Sequence, residues 1–282
     1  MVSLKTWRAL FFLLLPSLAG CTGLFFHPMQ QHVRTPDQIG LNYRDVSFTS
    51  HDNMPLHGWW LPAQGTARGT VVFFHGNAEN ISTHIGAVHW LPKEGFNVFL
   101  PDYRGYGASR GTPEIKGLHA DAESALDAVA EMPEARDTPL IVLGQSLGGA
   151  VATYTVAHSR HRSRIKALIV ESAFSSYRDI TREKLAGFWM TWPLQYPLSW
   201  TINDDYSPVN TVARVTPIPI LLVYGDRDRI VPLSHGQRLY NVAADPKTLW
   251  VVPGSGHIEA FKGKEYRRAL IDYLDSLLSG KR

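Results

Sequence analysis

Only one cysteine, Cys21, stands in the 282 residues. The chain therefore has no disulfide framework, no redox pair and no thiolate metal centre. Basic runs are missing too. The formal charge is +3, and without Lys5 and Arg8, which lie in a leader expected to be removed, 26 basic residues face 25 acidic ones. Nucleic acid is not an expected partner. The apolar run Ala9 to Leu15 falls well short of the ~20 residues needed to cross a bilayer. His84 and His89 are five apart, and no two histidines and a carboxylate share ligand spacing, so no metal is expected. Nothing implies a cofactor. No internal repeat or low-complexity tract occurs, and a hydrophobic fraction of 44% with 19% charged residues suits one large globular domain with loop insertions.

What is present centres on Leu140-Ile141-Val142-Leu143-Gly144-Gln145-Ser146-Leu147-Gly148-Gly149. The apolar run predicts a buried strand, and Ala150 to Tyr154 continues as a helix. A Gly-x-Ser-x-Gly turn between strand and helix is a nucleophile elbow. At positions 144 and 148 a Cβ would collide with neighbouring backbone. Ser146 takes the apex, and the helix behind it aims its N-terminal amides at any oxyanion formed there.

Along the chain, residues 21–43 read as a tether and 44–282 as the folded body. Strands are expected at Arg44–Ser50, Leu56–Leu61, Thr70–Phe74, Asn97–Leu100, Ala167–Val170, Ile218–Tyr224 and Lys247–Val252, besides the elbow strand. Helices are expected at Ile81–Lys93, Glu114–Glu131 and Ser234–Ala243, and a last one carries Tyr266, Ala269, Leu270, Tyr273, Leu274, Leu277 and Leu278 on one face. Strands apolar on both faces and alternating with helices predict an α/β protein, its mostly parallel central sheet covered on both sides. Residues 174–210 break the alternation with Phe188, Trp189, Trp192, Tyr196 and Trp200. They are expected to form a short cap over the site, the alternative being that these aromatics complete the core.

Ser146 needs a base, and the base a carboxylate. His257 follows the last strand in a glycine-rich loop. In a parallel sheet all carboxyl ends open on one edge, so His257 can reach the serine. His27, His32, His51, His158 and His161 read as solvated surface. For the acid, Asp228 is favoured over Asp226, which abuts its strand as a turn former, and Glu171 is a third candidate. The amides of Leu147 and Asn77 are the expected oxyanion donors, each worth ~3 kcal/mol in the transition state. His75 is expected to brace the Asn77 loop.

Two resemblances add to this. Lys5, Arg8 and the run Ala9 to Leu15, closed by Leu18-Ala19-Gly20-Cys21, resemble a bacterial lipoprotein signal peptide with its lipobox, the alternative being an uncleaved anchor. The resemblance implies removal of residues 1–20, lipid on Cys21 and a place in the cell envelope, with Thr22 pointing to the outer membrane. Acyl chains on Cys21 would anchor the chain stably, at ~0.8 kcal/mol per buried methylene.

From Arg44 to Leu278 the chain resembles the α/β-hydrolase superfamily and its Bem46-like group. The motifs are Phe74-His75-Gly76-Asn77-Ala78, Asp102-Tyr103-Arg104-Gly105-Tyr106-Gly107-Ala108-Ser109, Gly144 to Gly149, Glu171-Ser172-Ala173-Phe174, Gly225 to Pro232 and Gly256-His257. The resemblance implies the α/β-hydrolase fold and the chain order serine, acid, histidine, with Asp228 as acid and His257 as base. Ser109 is then a surface serine within a structural turn. Some members of the group remove acyl chains from cysteine thioesters, but their cysteine-rich N-terminus is missing here. The expected activity is hydrolysis of carboxylic esters or thioesters. Its rivals are an amidase or peptidase on the same triad and a non-catalytic envelope binding protein.

Overall fold

Eight strands build the main sheet in the computed structural model, which describes residues 25–279. The leader and Cys21 lie outside the described residues. The strands are β1 (Arg44–Thr49), β2 (Pro55–Leu61), β3 (Gly69–Phe74), β4 (Phe96–Asp102), β5 (Leu140–Gln145), β6 (Ile165–Glu171), β7 (Ile220–Gly225) and β8 (Lys247–Val252). Their spatial order is β1-β2-β4-β3-β5-β6-β7-β8. The β1–β2 and β2–β4 pairings are antiparallel, and every later pairing is parallel.

Period-two alternation sends successive side chains to opposite faces. Val72 and Phe74 join the core under helices α1 (Ile115–Glu131) and α2 (Leu147–His158), whereas Val71 and Phe73 join the core under α5 (Lys264–Leu278). Leu118, Ala122, Ala125, Leu126 and Val129 of α1 are fully buried, as their helical spacing predicts. Two further helices, α3 (Tyr177–Ala186) and α4 (Leu233–Val242), precede and follow β7. A sheet of this order with helices on both faces is the α/β-hydrolase fold expected from the sequence.

Two expectations need correction, and one alternative falls away. The helix expected over Ile81–Lys93 is one turn, Ile81–His84, followed by separate 3-10 turns at Ile85–Ala87 and Leu91–Glu94. Gly86 and Pro92 remove the propensity and the amide that a continuous helix needs. The described part of the expected tether is packed on the body: Phe26 is buried, and His27–Pro28 pairs with Ala78–Glu79. Asn80 Nδ2 donates to the carbonyls of Met29 (2.9 Å) and Gln31 (2.8 Å). Of the aromatics in residues 174–210, Phe174 and Tyr177 join the core, whereas Phe188, Trp189, Trp192, Tyr196 and Trp200 do not complete it, Trp189 being 78% and Trp200 68% exposed.

Candidate active site

Ser146 sits between β5 and α2 with φ 54° and ψ −117°, a conformation that L-residues rarely adopt and that clusters at functional sites. A Cβ on Gly144 would overlap the Gly148 carbonyl, and one on Gly148 would overlap the Phe74 carbonyl. Glycine is thus enforced at both positions by backbone contact. The Ser146 amide donates to Glu171 O at 2.9 Å. Its Oγ takes part in no hydrogen bond among the described residues.

Next to the serine lies the loop after β3. A Cβ built on Gly76 would stand 3.7 Å from Ser146 Cβ. This loop is held from below: Tyr106 Oη donates to Asn77 O at 2.7 Å, and Tyr103 Oη to His75 O at 3.4 Å. His75 is fully buried and donates from Nδ1 to Gly76 O at 2.8 Å. Burial pulls its pKa down to about 4, so it is neutral at pH 7 and holds the turn. The amides of Asn77 and Leu147 serve no other hydrogen bond among the described residues.

His257 Nδ1 is 2.8 Å from Asp228 Oδ2, and the Asp228 side chain has no solvent exposure. Asp228 Oδ1 accepts the amides of Ile230 and Val231, both at 2.8 Å. Burial alone would raise the Asp228 carboxyl, but His257 and these two amides outweigh it and hold the pKa below the usual range. The other candidate carboxylates have different partners. Asp226 is exposed, and its Oδ1 accepts the Gly254 amide at 2.7 Å. Glu171 is buried with both oxygens engaged, by Gln145 Nε2 at 2.6 Å and by the Ala260 amide at 2.9 Å. Burial raises its pKa to about 6 against these bonds.

The histidine loop leaves β8 but crosses back over the ends of its neighbours. A Cβ on Gly225, at the end of β7, would overlap the Ser255 carbonyl. Ile258 N donates to Ser172 Oγ at 3.4 Å, and the Ala260 amide to Glu171 at the end of β6. The loop thereby carries His257 towards β5 and the elbow. Ser172 and Ile258 share positive φ with Ser146, at 53° and 49°. For a β-branched residue such as Ile258 this is strain held by the surrounding bonds. Sequence pattern gave no sign of it.

Several other expectations meet the structure here. His32 is half-buried, with Nε2 2.9 Å from Asp102 Oδ2, and is no solvated surface residue. His51 and His161 both contact Asp127, at 2.6 and 2.7 Å. Ser109 is buried, its Oγ donating to Asp102 O at 2.7 Å. Two groups among the described residues bring three potential metal ligands together, His32/His57/Asp102 and Glu123/Asp127/His161. In each, the members already contact one another or a neighbour, as His57 Nε2 does with Asp45 Oδ1 at 2.7 Å.

A second serine–histidine–carboxylate chain went unnoticed in the sequence. Ser175 Oγ is 2.9 Å from His235 Nδ1, and His235 Nε2 is 3.1 Å from Glu183. Ser175 is 1% exposed and the same His235 nitrogen accepts the Ser175 amide at 3.0 Å. That chain is buried at its serine and histidine, open to solvent at Glu183, and braces α3 against α4 with its serine closed to any substrate carbonyl. A cleft of about 1140 Å³ between Ile165, Pro219, Lys247 and Tyr273 opens at the amino ends of β6 to β8, away from Ser146 and His257.

With this geometry in view, comparison with known proteins places the chain. Residues 65–209 match the family described as "Serine aminopeptidase, S33". YfhR of Escherichia coli K12 is 35% identical over 262 residues, covering 90% of this chain and 88% of that protein. The α/β-hydrolase domain-containing protein WAV2 of Arabidopsis thaliana is 30% identical over 262 residues, 88% of this chain and 83% of WAV2. Bem46 of Schizosaccharomyces pombe is 28% identical over 254 residues, 87% of this chain and 81% of Bem46. Among solved structures, the Pyrococcus furiosus esterase Pf2001 superposes with a TM-score of 0.72 at 23% identity, over 90% of this chain and 98% of that one; a likeness at that identity speaks for the fold. The chain belongs to the α/β-hydrolase family, in its Bem46-like group.

Proposed function

We propose that this hydrolase is a serine esterase or thioesterase working through an acyl-enzyme. The observation that carries the reading is the His257–Asp228 pair, 2.8 Å apart, with His257 on a loop that crosses the same sheet edge as the Ser146 elbow. Ser146 Oγ attacks the substrate carbonyl carbon while its proton passes to His257 Nε2. Asp228 holds the imidazole with its proton on Nδ1 and stabilises the imidazolium. The tetrahedral oxyanion lies against the Leu147 and Asn77 amides. As the carbon–oxygen or carbon–sulfur bond breaks, His257 gives its proton to the leaving group. Water, deprotonated by His257, then releases the acyl group as a carboxylic acid and restores the serine.

The family description as an aminopeptidase favours amide cleavage as a second reading. Recognition of a free α-ammonium calls for a carboxylate at the site. Those of the acid and base loops are already engaged: Asp226 by Gly254, Asp228 by His257, and Glu259 by the Gly256 amide at 2.9 Å. Ester cleavage is therefore the first choice. A panel of p-nitrophenyl esters of graded chain length, run beside aminoacyl anilides, tests it. Turnover of esters with an optimum in chain length is expected, and turnover confined to the anilides would replace esterase by peptidase. The same proposal includes a lipid anchor on Cys21 at the cell envelope, supported by the lipobox-like leader. Mass spectrometry of the chain from a bacterial host reads it, and an unmodified Cys21 in a cleaved chain would refute it.

A further inference from the structure

We propose that the exposed aromatic surface formed by residues 188–200 docks on a lipid bilayer. Phe188, Trp189, Met190, Trp192, Tyr196 and Trp200 are each at least half exposed, between 51% and 78%. No charged residue occurs from Leu185 to Ile202. Exposed apolar side chains gathered in one short segment mark an interaction surface, and tryptophan with tyrosine is the composition favoured where lipid headgroups meet acyl chains. The segment cannot cross a membrane: Pro193 and Pro197 interrupt it, and no described helix is long and apolar enough to span. It fits a surface that lies in the interface.

The start of the described chain selects lipid over a protein partner. The ring of Phe25 packs 6.3 Å from that of Phe174 and 6.0 Å from that of Tyr177. Tyr177 opens α3, whose far end leads to Phe188. Cys21 precedes Phe25 by four residues, a reach of at most about 14 Å. An acylated Cys21 would therefore enter the membrane beside the base of the same insertion. The Phe25 carbonyl also accepts Asn77 Nδ2 at 2.6 Å, so the oxyanion loop stands at this edge as well. Resting on the esterase reading, this points to acyl esters presented by the membrane itself as the substrate class.

The test uses the full chain carrying Trp7→Phe, which removes the leader's tryptophan, in phosphatidylethanolamine–phosphatidylglycerol vesicles containing brominated acyl chains. Quenching of tryptophan emission is expected, and it should vanish in Trp189→Ser/Trp192→Ser/Trp200→Ser. A second variant, Phe188→Ser/Met190→Ser, keeps every reporter and should lose part of the quenching. It should also slow hydrolysis of a vesicle-borne ester by a larger factor than hydrolysis of a soluble ester. Emission unaffected by bromolipid overturns docking, as does quenching that persists in the triple variant. Dimers in detergent that depend on the three tryptophans would assign the surface to a second copy instead. Labelling of Ser146 by a fluorophosphonate is read in parallel: a chain that labels but is not quenched refutes docking and leaves the hydrolase reading standing.

Discussion

Replacing Asp228 by asparagine separates its role from that of every other carboxylate near the site. Oδ1 accepts two backbone amides, from Ile230 and Val231, and Oδ2 faces His257 Nδ1. An asparagine has one acceptor oxygen and one NH2 donor. Two fixed amides claim the oxygen, so the NH2 must face His257 Nδ1. The imidazole then keeps its lone pair on Nδ1 and its proton on Nε2, where it cannot accept the serine proton. A wrong tautomer in this arrangement lowers kcat by about 10⁴, or about 5.5 kcal/mol of transition-state stabilisation. The assay is hydrolysis of a p-nitrophenyl ester, with a thermal melt to show that the fold survives. Asp226→Asn is the control: that side chain is exposed and bonds only the Gly254 amide, so less than a tenfold change is expected. Asp228→Asn within tenfold of wild type, or an equal fall in Asp226→Asn, would refute the assignment of the acid.

Gly148→Ala should fail to give folded protein, because its Cβ overlaps the Phe74 and His75 carbonyls; soluble, cooperatively melting protein would contradict this. Glu171 has its folded pKa raised from 4.5 to about 6 by burial. The folded state therefore holds this proton more tightly, and the stability it contributes is lost as pH rises from 4.5 through 6, by about 2 kcal/mol. Urea midpoints of wild type and Glu171→Gln should diverge over that window, and parallel pH profiles would refute it. Arg104→Met leaves Asp121, 2% exposed and bonded to Arg104 at 2.7 Å, as a buried unpaired carboxylate. A loss of about 3–5 kcal/mol is expected in urea unfolding, partly recovered in Arg104→Met/Asp121→Asn, which removes the charge and keeps an acceptor for the residue-104 amide; no recovery would locate the loss elsewhere.

The sheet was legible because its strands are written as short β-branched and aromatic runs bounded by turns, and because Gly144 and Gly148 leave a steric signature. The packing of residues 25–43 was not. It rests on carbonyls that accept from the Asn77 and Asn80 side-chain amides, and such bonds impose no periodicity on the chain. Position in the loop favoured Asp228 over Asp226 and Glu171 without showing what each carboxylate touches. Their partners differ only in three dimensions. The aromatics of 188–200 read as a cap with core as the alternative, since composition does not say which side of a side chain meets water.

The account stands on Ser146 as the attacking group, and a fluorophosphonate adduct located by peptide mass spectrometry tests it most directly. One adduct per chain on Ser146 is expected, with Ser146→Ala unlabelled and slower by up to about 10⁶ in ester turnover. An adduct on another serine, or full turnover in Ser146→Ala, would contradict it.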